Sequence, residues 1–354
     1  MNNLSPKIKI KDIAQRAGVS PGTVDRVLHN RGNVSEKTTQ KIKKILEEIN
    51  YTPNVYASAL ASKRIITLAA VIPDTSPGDY WEMVESGLRK GAMELSDFKV
   101  NIKLYYYSQY SIESFCHVME SILEMLPDGV LLAPSLKSVT FDFTCKMEKA
   151  GIPYVFVDSH IEGTKCLAYY GQHSYQSGQL VAKLLFSQNP SVSEIAIFSF
   201  YHAGQKPANQ NALRMSGFTS YISEKNENCK LYHSTLEDGE PEQNTLEMHR
   251  LFSQHPGIGG AVIFSSRSYV VAEFLEEHQM NHISLIGYDL LERNVNYLKR
   301  NTISYLIAQR PEEQAYRGIK ALSDHLLFRK QINRINYVPI DILTQENIDF
   351  YLEF

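Results

Sequence analysis

The sequence predicts two unlike parts in one chain: a small all-α helix-turn-helix head, and an α/β body of two doubly wound parallel-sheet lobes. Three observations carry this expectation. Charge is divided along the chain: residues 1–64 hold 8 Lys and 4 Arg against 2 Asp and 3 Glu, although the whole 354-residue chain has a net charge of −3. The apolar residues of this basic segment recur at helical spacing. Beyond Arg64 the period changes, and short continuous apolar runs alternate with amphipathic helical stretches, as in parallel sheets covered on both faces.

The head is read in order. Ile10, Ile13, Ala14 and Ala17 form one stripe of an amphipathic helix. Gly18 supplies the permissive backbone of a tight turn, with Val19 tucked beneath it. Ser20 is an N-cap and Pro21 a favoured first helical residue, so a second helix begins there and buries Val24, Val27 and Leu28. A short helix, a glycine turn and a second helix make the motif whose second member enters the DNA major groove. A third helix starts from the cap Ser35, places Glu36 at its positive end, and buries Ile42, Ile45, Leu46 and Ile49. In "NYTPNVYASALASKR" Pro53 breaks the chain and Asn54 caps a segment reaching about Ser62. So short a helix orders only when something holds it. A basic head on an acidic body points to a polyanionic partner for the head alone.

The body offers strand-like runs "IITLAAVIP", "VNIKLYYY", "GVLLAP", "IPYVFVD", "EIAIFSF", "GAVIF" and "ISLIGYD", separated by helical stretches such as 111–126, 174–187 and 268–280. So much alternation exceeds one sheet, so two lobes with a cleft are expected, with ligand-binding loops at the carboxyl ends of strands. Cys116, Cys145, Cys166 and Cys229 are scattered and contain no CxxC pair, which argues for reduced thiols rather than disulfides or a zinc site. No apolar run approaches the ~20 residues of a membrane span, and "MNNLSPKIKIKD" lacks a signal core. The expected location is therefore the cytoplasm, with no membrane partner. HExxH, GxSxG, GxxxxGK[ST] and GxGxxG are all absent, and "HPGIGG" precedes a strand, the wrong order for a phosphate loop. His278 and His282 are four apart, but the second begins a strand, so they do not share a helix face. No enzyme activity, cofactor or metal is expected.

The stretch "IKDIAQRAGVSPGTVDRVLHNRGNVSEKTTQKIKKILEEINYTPNVYASALAS", with its AGVS, TVxRVL and YxPN elements, resembles the DNA-binding head of the lactose-repressor (LacI/GalR) family. The body, through "PYVFVDSHIEG", "YYGQHSYQSGQLVAKLL", "RMSGF", "ISLIGYD" and "IAQRP", is similar to the periplasmic-binding-protein-like type I fold of that family's effector domains. The resemblance implies a DNA-binding domain at 1–52, a hinge helix and linker at 53–64, and an effector-binding domain at 65–354. Its N-lobe is expected at about 65–162 and 293–326 and its C-lobe at about 163–292 and 327–354, with crossovers near 160–168, 289–295 and 325–335. It also implies a homodimer bound to double-stranded operator DNA, usually as a repressor, and a small effector, a sugar or sugar derivative, between the lobes. The chain shows no leucine heptads after the body, so a C-terminal tetramer is not expected. The alternative is a small-molecule-binding protein whose basic head makes protein contacts.

By the same resemblance Pro21, Gly22 and Arg26 face base edges. Only Arg26 offers hydrogen bonds, with guanine its best partner. Ser20, Thr23, His29 and Asn33 are expected near phosphates. Asp25, usually serine in the family, is read as orienting Arg26, with a cytosine contact or an outward pose as alternatives. Tyr56 and Ala57 fall in the hinge contact, and Leu60 in the minor-groove wedge; packing of Leu60 on the body is the alternative. For the effector, "PDTSPGDYWEMV" offers Asp74, Asp79, Tyr80 and Trp81, aromatic faces and carboxylates suited to a sugar, unless the aromatics only anchor the next helix. Arg214 matches the family's ligand-gripping arginine, with a surface salt bridge as the alternative. Asp289 matches the hydroxyl-binding aspartate, unless it caps the segment that follows. Asp158 and Gln309 come from the same correspondence. Where the family commonly has Asn-Asp, this chain has Ser265, Ser266 and Arg267. That arginine favours an acidic ligand, a sugar acid or phosphate, unless it points to solvent.

Overall fold

The computed structural model describes residues 9–28, 32–49, 51, 59–60, 64–201, 209–225 and 228–353. They form two units divided between Ala61 and Ser62.

In the first unit α1 (Ile10–Ala17), α2 (Pro21–Leu28) and α3 (Glu36–Glu48) close on Ile13, Ala14, Ala17, Val24, Val27 and Ile42. Helix α1 stops at Gly18, whose φ of 68° is a left-handed conformation that a Cβ would penalise. The caps read from the sequence are in place: the Thr23 N–H donates to Ser20 Oγ at 3.2 Å and the Thr38 N–H to Ser35 Oγ at 3.3 Å. Of the expected hinge segment, Ala59 and Leu60 are described; Ala59 is buried and Leu60 exposed. His29, Tyr56 and Ala57 lie outside the described residues.

The second unit holds two six-stranded sheets. One comprises β1 (Ile66–Pro73), β2 (Val100–Tyr107), β3 (Gly129–Leu132), β4 (Tyr154–Val157), β5 (Ala168–Gly171) and the late strand β11 (Ile335–Tyr337), in the order β11-β5-β4-β3-β1-β2 and parallel throughout. The other comprises β6 (Glu194–Tyr201), β7 (Lys230–Glu237), β8 (Gly260–Ile263), β9 (Ser284–Tyr288), β10 (Tyr305–Ala308) and β12 (Asp341–Leu343), in the order β12-β10-β9-β8-β6-β7. Strand β12 runs antiparallel to β10. The connecting helices are α4 (Tyr80–Leu95), α5 (Ile112–Met125), α6 (Lys137–Lys149), α7 (Ser174–Gln188), α8 (Asn209–Lys225), α9 (Pro241–Gln254), α10 (Ser268–Glu277), α11 (Glu292–Lys299), α12 (Pro311–Phe328) and α13 (Ile348–Leu352). Each sheet is buried on both faces: Leu68, Ala70 and Ile72 of β1 pack with α4 and α12, whereas Ala69 and Val71 pack with Phe115 and Met119 of α5. This explains the unbroken apolar runs.

The lobe boundaries differ from those expected. Strand β5 pairs with β4 (Val155 opposite Ala168), so it belongs to the first lobe, not the second. Strand β10 lies in the second sheet, while α12 packs on the first. The chain therefore crosses between lobes after Gly171, after Ala308 and after Tyr337, later each time than the sequence suggested. The physical reason is that β5 is only four residues long and buried on both faces, so its local pattern does not say which sheet it joins. Gln172 ties the three crossings together: it follows β5, and its Nε2 donates to Ala308 O at 3.0 Å and Pro339 O at 3.4 Å. Helix α10 ends at Glu277, which leaves His278 at its C-cap. No described helix is long and apolar enough to cross a membrane.

Candidate functional site

Between the lobes lies a cleft of about 420 Å³, lined by loops at the carboxyl ends of strands in both sheets. Nine of the ten residues expected to hold an effector line it: Asp79, Tyr80, Trp81, Asp158, Arg214, Ser266, Arg267, Asp289 and Gln309. Asp74 does not. It is exposed beside the end of β1, where its N–H donates to Tyr107 O at 2.9 Å.

The first lobe supplies an aromatic wall. Asp79 caps α4, with Oδ1 accepting from the Glu82 N–H at 2.9 Å and Oδ2 from the Ser76 N–H at 2.8 Å. Its carboxylate is thus spent on the helix start, and what it gives the cleft is the position of Tyr80 and Trp81. The two rings meet edge to face at 5.1 Å, and Trp81 Nε1 donates to Gln109 Oε1 at 3.3 Å. Tyr80 is buried among core residues, so the helix-anchoring alternative holds for its ring, but its hydroxyl donates to Asp158 Oδ1 at 2.6 Å inside the cleft. Asp158 ends β4 in a left-handed conformation (φ 67°), its N–H donating to Gln314 Oε1 at 2.9 Å. Burial pushes the Asp158 carboxyl above the usual range, against the Tyr80 hydroxyl, which favours the charge.

The second lobe supplies the charged floor. Arg214 is 2% exposed and is not a surface ion pair. Its place on α8 is set by glycines. A Cβ on Gly178 of α7 would stand 1.9 Å from Arg214 O, and one on Gly217 of α8 would stand 1.9 Å from Tyr175 O, so α7 and α8 meet backbone to backbone. Arg214 Nη1 donates to Phe264 O at 2.6 Å and Nη2 to Gln210 Oε1 at 3.0 Å, with the guanidinium 4.2 Å from the centre of the Tyr288 ring. Nη2 also donates to Gln309 Oε1, and Gln309 Nε2 donates to Asp289 Oδ1 at 2.7 Å. Asp289 does not cap α11, whose cap position is Leu291. It projects from the end of β9 at φ 68°. Burial raises its carboxyl to about 7, against Arg214 and the Gln309 hydrogen bond, with Asp158 adding to the rise.

Residues that the sequence did not single out hold this arrangement. Gln314 links the lobes, accepting from the Asp158 N–H and donating from Nε2 to Gln309 O at 2.7 Å. Buried Asn294 donates from Nδ2 to the carbonyls of Ser266, Tyr288 and Asp289 at 2.8, 3.0 and 3.0 Å, clasping two cleft loops. Gln210 sits one helical turn before Arg214, a spacing that offered a signal; Gln314 and Asn294 offered none. Among the described residues, three cleft atoms, Arg214 Nε, Gln210 Nε2 and Ser265 Oγ, are buried without a protein partner. Such a group costs roughly 1–3 kcal/mol unless something satisfies it.

Arg267, on which the expectation of an acidic ligand rested, already has an acidic partner. It points neither to solvent nor freely into the cleft. Nη1 is paired with Asp238, Nη2 donates to Asp238 Oδ2 at 2.7 Å and to Tyr110 at 3.3 Å, and the guanidinium stands 5.2 Å from the Phe200 ring. In the head, Ser20, Pro21, Gly22, Arg26 and Asn33 are exposed, and Thr23 is half-buried, its hydroxyl 3.0 Å from that of Ser20.

Fold and site define a class: a two-lobed α/β body with a cleft between its sheets, preceded in the chain by a basic helix-turn-helix head. Residues 69–330 match the periplasmic binding protein domain, and residues 9–54 match the bacterial regulatory proteins of the lacI family. The chain belongs to the lacI family of regulatory proteins. It is 37% identical to the transcriptional regulator DegA of Bacillus subtilis over 37% of its own length and 38% of that protein's. It is 24% identical to the ribose operon repressor of Lactococcus lactis over 96% of this chain and 97% of that one. The crystal structure of a candidate LacI transcriptional regulator from Bacteroides fragilis superposes with a TM-score of 0.78 at 38% identity, covering 81% of this chain and all of that one. The chain thus spans less than half the length of DegA and nearly all of the ribose repressor.

Proposed function

We propose that this protein is a sequence-specific DNA-binding transcriptional regulator, a repressor in its ordinary mode, which binds operator DNA as a homodimer. A sugar or sugar derivative in the cleft sets its operator affinity. The observation that carries this reading is the buried Arg214–Gln309–Asp289 chain, which faces Asp158 beneath an aromatic wall at the junction of two lobes. Carboxylates and a fixed guanidinium match hydroxyl groups, and the aromatic faces match the C–H side of a sugar ring. A ligand gripped from both lobes favours one arrangement of the three crossings, and its differential affinity for the two arrangements shifts operator binding by that amount. The named relatives regulate transcription, one of them a sugar operon.

In the head, Arg26 carries direct base readout, Pro21 and Gly22 give close approach, and Ser20, Thr23, His29 and Asn33 contact the backbone. Tyr56, Ala57 and Leu60 act at the hinge. The test is a gel-shift titration of the full chain on operator-length DNA across a salt series, with and without a sugar panel. Specific binding must weaken steeply with salt as counterions are released, and at least one sugar must shift it. DNA affinity indifferent to salt and sequence favours the second reading, in which the head contacts protein.

A further inference from the structure

Resting on the reading of the cleft as an effector site, we propose that Asp238 is a specificity residue: by neutralising Arg267 at the cleft wall, it makes the site select uncharged polyhydroxyl ligands and exclude their acidic or phosphorylated counterparts. Two arginines line the cleft. Arg214 is already engaged by Phe264 O, Gln210 and Gln309, and by Asp289 through Gln309. Arg267 is the other, and of the two it is the one that pairs directly with a carboxylate. Both of its terminal nitrogens are taken by Asp238, in the turn after β7, in the paired geometry that suits a carboxylate. Tyr110, on the opposite lobe, accepts a further bond from Nη2. What faces the ligand is then two carboxylates, the half-buried Asp158 and the buried Asp289, together with one guanidinium N–H, one amide and one hydroxyl without protein partners. Carboxylates accept hydrogen bonds from sugar hydroxyls and repel carboxylate or phosphate. The partly exposed Arg267–Asp238 pair thus does what an anionic ligand group would otherwise do, and the site disfavours that group.

The test is binding by the full chain at pH 8, read by Trp81 fluorescence and calorimetry. The probes are neutral aldoses and disaccharides, each paired with its uronate, aldonate and 6-phosphate. The wild type is expected to bind a neutral member at least roughly tenfold more tightly than its anionic counterparts, the scale of one partly solvated charge pair. Asp238→Asn keeps the shape, frees the guanidinium, and is expected to shift that ratio toward the anion by roughly tenfold. The double variant Asp238→Asn/Arg267→Gln removes both charges together and is expected to keep the wild-type ratio, and it serves if Asp238→Asn alone fails to fold. Equal wild-type affinity for neutral and anionic partners overturns the proposal, as does an unchanged ratio in Asp238→Asn or a loss of anion binding in the double variant. If no sugar of either charge binds, the effector reading falls and the proposal with it; binding without discrimination removes the proposal alone.

Discussion

Asp289→Asn tests the electrostatics of the cleft most directly. In the folded protein burial lifts the Asp289 carboxyl from 3.8 to about 7. Between those values the native state holds a proton that the unfolded chain has released, so native stability falls as pH rises through the window. The cost is fully present above about pH 7 and gone below about pH 4, and a rise of this size corresponds to on the order of 4 kcal/mol. Asparagine cannot ionise, yet its Oδ1 still accepts from Gln309 Nε2. Urea unfolding of the full chain without ligand, followed by the fluorescence of Trp81, the single tryptophan, reports on the body. The variant is expected to be the more stable protein at pH 8, and its advantage to shrink by ~2–3 kcal/mol at pH 5. The same substitution removes a charged acceptor, so the tightest neutral sugar should bind ~1.5–3 kcal/mol more weakly. A stability difference that does not change with pH, or a variant less stable than wild type at pH 8, refutes the account of a buried and largely uncompensated carboxylate.

Gly217→Ala places a methyl against Tyr175 O. It should cost ~1–3 kcal/mol in urea unfolding and weaken sugar binding by displacing Arg214; wild-type values for both would show that the α7–α8 contact is loose. Arg26→Ala should erase the preference for the operator over scrambled DNA at a cost of ~1–3 kcal/mol in competition gel shifts, while binding to scrambled DNA changes little. An intact preference would move direct readout to another residue. Asp25→Ser should mainly raise affinity for nonspecific DNA; a changed base preference would instead favour the cytosine contact.

The head was legible because its determinants are local. A glycine turn, two serine caps and a stripe of small apolar residues each act within a few positions, and Ser20, Ser35 and Gly18 do what their residue types dictate. The longer apolar runs were legible for the same reason, whereas β5 and β10, four residues each, were not read as strands although both are covered on two faces. Strand β7 was not: it lies at a sheet edge, and its residues 230–237 alternate between exposed and covered without an apolar run. Strands β11 and β12, three residues each, carry too little pattern to read. At the cleft, loop position marked Tyr80, Asp158 and Asp289, but residue type misled at Asp74 and Asp79, one exposed and one consumed as a helix cap.

Sequence alone thus determined the two-part design, the helix-turn-helix and the strand-end loops from which the cleft is built, since periodicity, capping and backbone preference operate over one or two turns of chain. Tertiary structure decided which sheet received β5 and β10 and whose charges meet. Arg214 finds Gln309 across 95 positions, and Arg267 finds Asp238 across 29 and Tyr110 across 157. A guanidinium reads the same in sequence whether its partner will be a ligand or an aspartate. Only the packing of distant segments fixes the partner, because electrostatic compensation depends on distance in space and not along the chain.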